Sequence, residues 1–397
     1  MAQLINAGGR DSAALNMSAA NGLYEEAVTL DPNNTAAHFG AALTGVLTVF
    51  SDPALFSVLN EIPTEGPSPP PFIGNVFSRV SLKQDLKQYG RDLQSQAESR
   101  LALMIKQQFP NRFDYIFTQS DTTLPPSFYQ NVVEAKLLPA LSTAIFHLQR
   151  VTQNQQFAFY ITPDDAGGEL QDSIRIDLTE IYVLLAVFQA LHAEASAFVS
   201  YNIDYDPEDA NAVENAWQVT SPFLALRTNG VQRMRDVRTS WIGMASSIQS
   251  GITYYSNETP HPGIDLIPYS PEAVQELSQL YAGMDSLIMV LSGPYQAYND
   301  FNDDNVQEYL TINLKNYFDN AIANYKAKIP AYTVSVEAGN HGEYVAVLTW
   351  QATSFSNWIF PDPTFNGLLP GITTDAMLKQ TFGITAADWE QSVRVGD

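Results

Sequence analysis

The sequence predicts a mostly α-helical fold: an irregular helical bundle or array carrying one or two small β-hairpins. Three observations carry this prediction. Long stretches repeat apolar residues at the helical period. Clean alternation of apolar and polar residues is confined to two short regions, near 157–176 and 332–350. Asp-Pro and Ser-Pro pairs recur where the helical patterns change, and they suit helix starts and stops.

Taken in order, residues 12–30 read as a helix with Leu15, Leu23, Ala27 and Leu30 near one face and Tyr24 beside it. Asp31-Pro32 stops it, because proline cannot continue the hydrogen-bond ladder. Residues 34–49 form a second helix in which Ala37 and Ala41 permit close packing. The stretch 61–71, EIPTEGPSPPP, is a rigid, extended surface loop. Further helical patterns cover 76–108, 127–152, 178–200, 207–219, 222–256, 271–297 and 303–328. The pattern over 178–200 is apolar nearly all round, as a central helix would be, and Asp177 with Glu180 makes a capping box at its start. Helix caps are expected at Asp52-Pro53, Asp206-Pro207, Ser221-Pro222 and Ser270-Pro271. The alternating runs AYTVSVEA and EYVAVLTW flank GNHG, a hairpin signal. A helical tail at 373–393 follows, with Thr385 and Asp388 as a second capping box.

Composition excludes several classes. Apolar residues are 45% of the chain, enough for an ordinary core. The formal charge is −23, and such a field repels phosphate backbones, so no nucleic acid is expected as a partner. There are no cysteines, which removes disulfides, thiolate metal sites and cysteine nucleophiles. No run of about eighteen apolar residues stands out as a transmembrane segment. The start, MAQLINAGGRD, lacks the basic and apolar regions of a signal peptide, so an envelope location implies a leader or lipid anchor absent from this chain.

Residues 20–32 resemble the second helix of a tetratricopeptide repeat. Ala20, Tyr24, Ala27 and Pro32 stand at the family's small, aromatic, alanine and proline positions, and the LDPNN ending is also typical. His38 and Ala41-Ala42 depart from the family pattern in the next helix, and no further copy follows residue 55. The likeness covers residues 10–55 and is similar to the N-terminal repeat of tetratricopeptide-containing bacterial envelope proteins and lipoproteins. It implies an N-terminal hairpin within 1–60, continuous with a helical body over 61–397. It also implies a non-catalytic role in the periplasm or outer envelope.

Candidate sites are sparse. The helix over 222–256 carries Arg227, Arg233, Arg235 and Arg238 beside a buried stripe of Val231, Met234, Val237 and Trp241. These guanidinium groups suit either internal ion pairs or an anionic ligand. Asp300, Asn302, Asp304 and Glu308 place oxygen ligands at alternate positions, as a calcium loop does, but the closing bidentate glutamate is missing. The loops at 202–208 and 362–367 share that pattern. His147 and His192 have no acidic partner three or four residues away and read as packed residues. No nucleophile elbow, phosphate loop or dinucleotide fingerprint is present. The expectation is therefore a non-enzymatic envelope protein that docks a partner protein or holds a ligand. The alternatives are a carrier of a lipid or other apolar molecule in a helical cavity, and a hydrolase with an unrecognised acidic site.

Overall fold

The computed structural model describes residues 17–50, 126–162, 173–206, 208–258, 264–265, 267, 269–301, 307–339, 343–386, 389 and 392–395. Leu15, Asp52-Pro53, the loop at 61–71, the helix expected over 76–108, Asn302, Asp304 and Asp388 lie outside them. The chain is mostly α-helical with small β-hairpins, as the periodicity predicts.

The N-terminal hairpin pairs α1 (Met17–Leu30) with α2 (Thr35–Phe50). The turn is built as its residues dictate: Asp31 N–H still bonds Ala27 O at 2.9 Å, proline follows, and the Asn34 side chain accepts from Ala37 N–H at 2.9 Å to start α2. Gly40 lies against the Tyr24 ring so closely that an added Cβ would collide with it. Tyr24 meets α2 at Gly40 and Asn21 meets it at Thr44, and Ala20 and Ala27 are half-buried on the same helix. Leu23 and Leu30, expected beside Ala27 on one face, are instead 59% and 80% exposed. The short side chains set the contact because they let the two helices approach, which turns the longer leucines outward.

Next come α3 (Pro126–Val132), a π-helical turn (Val133–Leu137) and α4 (Leu138–Val151). Leu141, Leu148 and Val151 of α4 are fully buried against Phe39, Ala42 and Val46 of α2 and against α5 (Leu178–Phe198). Hairpin and body thus share one core. Helix α5 is buried along most of its length, including Leu178, Ile181, Leu185, Phe188 and Ala193. By length and composition it would suffice to cross a membrane, and half of that apolar window is buried within the protein. Helix α6 (Ala210–Trp217) is capped by Asp209, not by Asp206 ahead of the proline. Helix α7 (Gly230–Ser256) packs along α5. It begins eight residues after Ser221-Pro222, which caps no helix. The Ser221 Oγ instead donates to Ala216 O at 2.5 Å and accepts from the buried Lys326 ammonium at 2.7 Å. Helix α8 (Pro271–Ser292) starts as expected, with the Ser270 side chain accepting from Ala273 N–H.

Among the described residues, three small sheets accompany the helices. Strands β1 (Phe159–Ile161) and β2 (Ile174–Ile176) pair antiparallel, and β3 (Ile264–Asp265) joins β2 in parallel. Strands β6 (Tyr332–Ala338) and β7 (Tyr344–Trp350) form the second predicted hairpin, closed by Gly339 N–H to Glu343 O at 2.8 Å. Three corrections concern this class. Residues 295–297 and 308–312, read as parts of helices, belong to a third hairpin, β4 (Tyr295–Asn299) with β5 (Glu308–Ile312). Gly293-Pro294 cuts α8 short, and the strands bury Ala297, Leu310 and Ile312 with Phe301, Phe360 and Leu369. The helix expected over 303–328 shrinks to α9 (Leu314–Asp319) and one 3₁₀ turn (Tyr325–Lys328). Among the described residues the tail is helical in α10 (Asp375–Thr381), and β8 (Ser392–Val395) adds to β7; the capping box expected at Thr385 and Asp388 extends outside them.

Candidate functional site

The densest group of buried charge in the described residues lies where β2 runs into α5. The segment Ile174-Arg175-Ile176-Asp177-Leu178-Thr179-Glu180 changes from strand to helix within a few residues. Asp177 is the N-cap. Its Oδ1 accepts from Thr179 N–H, and the Glu180 carboxylate accepts from Asp177 N–H, each at 2.8 Å. This reciprocal box satisfies the amide groups that a helix start leaves open. Glu258, just past the end of α7, reaches the same place from 83 residues away in sequence. Arg175 lies between the two carboxylates, with Nη1 2.8 Å from Asp177 Oδ2 and 3.2 Å from Glu258 Oε1. Thr179 Oγ1 donates to Glu258 Oε2 at 3.4 Å.

Among the described acids Glu180 is strongly perturbed. Burial raises its pKa to about 8, helped by the negative charge of Asp177, while the backbone N–H groups of Asp177 and Ile267 pull the other way. Its second oxygen accepts from Ile267 N–H at 2.9 Å, which ties the segment after β3 to the start of α5. Burial also raises the pKa of the neighbouring Tyr254 hydroxyl, with Asp177 and Glu258 adding to it and Arg175 opposing it. A neutral acid beside two carboxylates can store a proton. Here both Glu180 oxygens and the shared guanidinium are already engaged by protein groups.

The four arginines are divided between two anchors. Arg227 Nη1 is 3.3 Å from Glu134 Oε2, and Arg233 Nη2 is 3.3 Å from Glu134 Oε1. Glu134 stands on the π-helical turn, whose wider spacing re-aims the side chains around it. Arg233 also pairs with Asp236 at 3.3 Å. Arg238 binds the Asp319 carboxylate at 3.0 Å, and Arg235 donates to Asp319 O at 3.1 and 3.2 Å. The stripe beside them buries Met234 and Val237, but Val231 is exposed. Position 231 opens the helix, ahead of the turns that face α5.

Asp300 and Glu308 flank the connection between β4 and β5, and Glu308 pairs across the ladder with Asn299. The proposed oxygen cage therefore belongs to a β-hairpin end, with Asn302 and Asp304 outside the described residues. No cluster of three or more His, Asp or Glu suited to a metal occurs among the described residues. The loop at 362–367 uses its acid differently. Asp362 accepts from Thr364 Oγ1 at 2.6 Å and Asn366 N–H at 2.8 Å, and it meets the Lys328 ammonium at 2.6 Å. These contacts depress its pKa to about 2 despite some burial, and they hold Phe365, Asn366 and Gly367 at positive φ. In the 202–208 loop, Asp204 and Asp206 accept backbone N–H groups from Ser127 and Glu208.

Neither helical histidine faces open solvent. His192 bridges two helices, 3.0 Å from Ser142 Oγ on α4 and 2.9 Å from Ser240 Oγ on α7, and burial lowers its pKa. The capping spacing of Asp177 and Glu180 marked part of the buried centre in the sequence. Arg175 and Glu258 carried no local signal. An open cleft of about 360 Å³ lies elsewhere, lined by Pro330, Ala331, Gln351 and Ile359 among others, none of them titratable. No family model, curated protein or solved structure matches the chain.

Proposed function

We propose that the chain is a non-enzymatic docking protein of the bacterial cell envelope, which receives a protein partner on its tetratricopeptide-like N-terminal hairpin. The observation that carries this reading is the outer face of α1. Leu23 and Leu30 are turned to solvent while the opposite face of the same helix packs on α2. The buried charges support a structural centre, since Arg175, Asp177, Glu180 and Glu258 are spent on one another and on backbone groups. In the same proposal Arg233, Arg235 and Arg238 staple α7 to the π-helical turn and to α9, and Arg227, which lies just ahead of α7 and not within the helix expected over 222–256, joins the same π-helical turn.

The test is site-specific photo-crosslinking in the native bacterium. A photoreactive residue at position 23 or 30 is expected to give one discrete adduct, and the same residue at exposed Met377 is expected to give none. Leu23→Ser with Leu30→Ser should abolish that interaction while changing stability by no more than about 0.5 kcal/mol. Indistinguishable adducts at all three positions would remove the docking reading, and recovery of the native protein in the cytosolic fraction would remove the envelope location.

Calcium at the β4–β5 connection is a separate proposal within this function. Half of a calcium loop gives an affinity of about 10⁻⁴ M at best, a range useful outside the cytoplasm. Millimolar calcium should then stabilise the protein by about 1–2 kcal/mol relative to chelator. Asp300→Ala with Asp304→Ala should erase the difference. Identical melting curves with and without calcium would leave these acids as solvated loop residues.

A further inference from the structure

The N-terminal hairpin is joined to α4 by a chain of four polar groups, buried at its two imidazoles and 42% exposed at the Glu25 side chain. Glu25 Oε1 on α1 is 3.1 Å from His147 Nε2 on α4. His147 Nδ1 is 2.7 Å from His38 Nδ1 on α2. His38 Nε2 is 3.0 Å from the Pro32 carbonyl oxygen in the hairpin turn. Both imidazoles are almost wholly buried. Among the described residues, Arg150 on α4 lies beyond the Phe146 ring, its guanidinium 5.3 Å from the ring centroid, and that ring meets both imidazoles edge-on.

The hydrogen count of this chain is decisive. It contains three contacts, and each needs one hydrogen. Both of its ends are acceptors, because neither a carboxylate nor a carbonyl can donate. Two neutral imidazoles bring only two hydrogens between them. Whichever tautomers are chosen, one contact is left with two lone pairs face to face. The chain is complete only with one further proton, on the imidazole pair or on Glu25.

We propose that Glu25, His147 and His38 form a single-proton site that makes docking of the α1–α2 hairpin on α4 depend on pH. With two neutral imidazoles the site is one hydrogen short. Burial holds the pKa of His147 below the ordinary imidazole value despite the opposing pull of Glu25, so the undocked chain takes up the proton more readily than the docked one, and docking weakens as pH falls through the ordinary imidazole range.

Glu25→Gln tests this directly, because the amide brings the missing hydrogen as an N–H donor to His147 Nε2. At pH 7.5 the variant should melt about 1–2 °C above the parent, the size of one restored hydrogen bond in a chain of this length. Toward pH 5 the advantage should shrink, as the parent takes up its own proton. Glu26→Gln, on the exposed side of α1, removes the same charge without touching the chain and serves as the control. A Glu25→Gln variant that melts below the parent at pH 7.5, or that gains no more than Glu26→Gln, would overturn the proposal. A second measurement needs no substitution. Imidazole ¹⁵N spectra of the parent between pH 7.5 and 5 should show one proton shared over the two rings in a single step, and two independent steps would overturn it.

Discussion

Replacing Arg175 by methionine should destabilise the fold by about 3–5 kcal/mol, the range for breaking a buried ion pair from one side. The cost arises from what is left behind. Asp177 and Glu258 would face each other across the start of α5 with no cation between them, in a place where water does not reach freely. Methionine fills much of the arginine volume, so a cavity contributes little. The prediction is checked by urea unfolding monitored through helical circular dichroism. Adding Asp177→Asn and Glu258→Gln should recover a large part of the loss, because the remaining groups are then neutral. A single Arg175→Met variant within about 1 kcal/mol of the parent would mean that solvent already compensates these carboxylates. The centre would then be open enough to admit a ligand, which would favour the hydrolase alternative over the docking reading.

This dependence on a distant partner also explains what was and was not legible in the sequence. Helix α5 could be read because its information is local: apolar residues all round, and Asp177 and Glu180 three apart at its start. Half of the buried centre was therefore visible as a cap. The other half was not, since Glu258 approaches Arg175 only through the packing of α7 on α5. The same contrast holds at the hairpin. The small residues of α1 revealed a close helix pair, while the direction of Leu23 and Leu30 depended on which face α2 selects. Strands β4 and β5 escaped because TyrGlnAlaTyrAsn and GluTyrLeuThrIle alternate over five residues only. Their apolar face is covered by Phe301 just past β4 and by Phe360 and Leu369 from farther along the chain. The arginines were visible as an unusual basic run in an acidic chain. Their anchors, Glu134 and Asp319, lie on two other elements with no sequence relation to it.

The stability contributed by Glu180 should be greatest in acid and should fade as the solution becomes alkaline, opposite to the usual behaviour of a capping carboxylate. Its folded pKa, about 8, lies above the ordinary value of 4.5 because burial disfavours the charged form and Asp177 adds to the effect. A carboxyl group raised in this way binds its proton more tightly folded than unfolded. Its contribution is fully present below the unfolded value and is lost as pH rises from there through about 8. Each unit of raising corresponds to about 1.4 kcal/mol, so the loss across the window is on the order of 5 kcal/mol. Glu180→Gln separates this from every other titration in the molecule. The amide keeps an acceptor for one backbone N–H but presents a donor to the other, a constant cost of about 1–3 kcal/mol at all pH values. Urea unfolding of parent and variant at pH 5, 6.5, 8 and 9 should therefore show the parent clearly more stable at pH 5. The gap should then close and reverse by pH 9. A gap that stays constant across the series would show that Glu180 is ionised throughout, with Asp177 N–H and Ile267 N–H outweighing its burial.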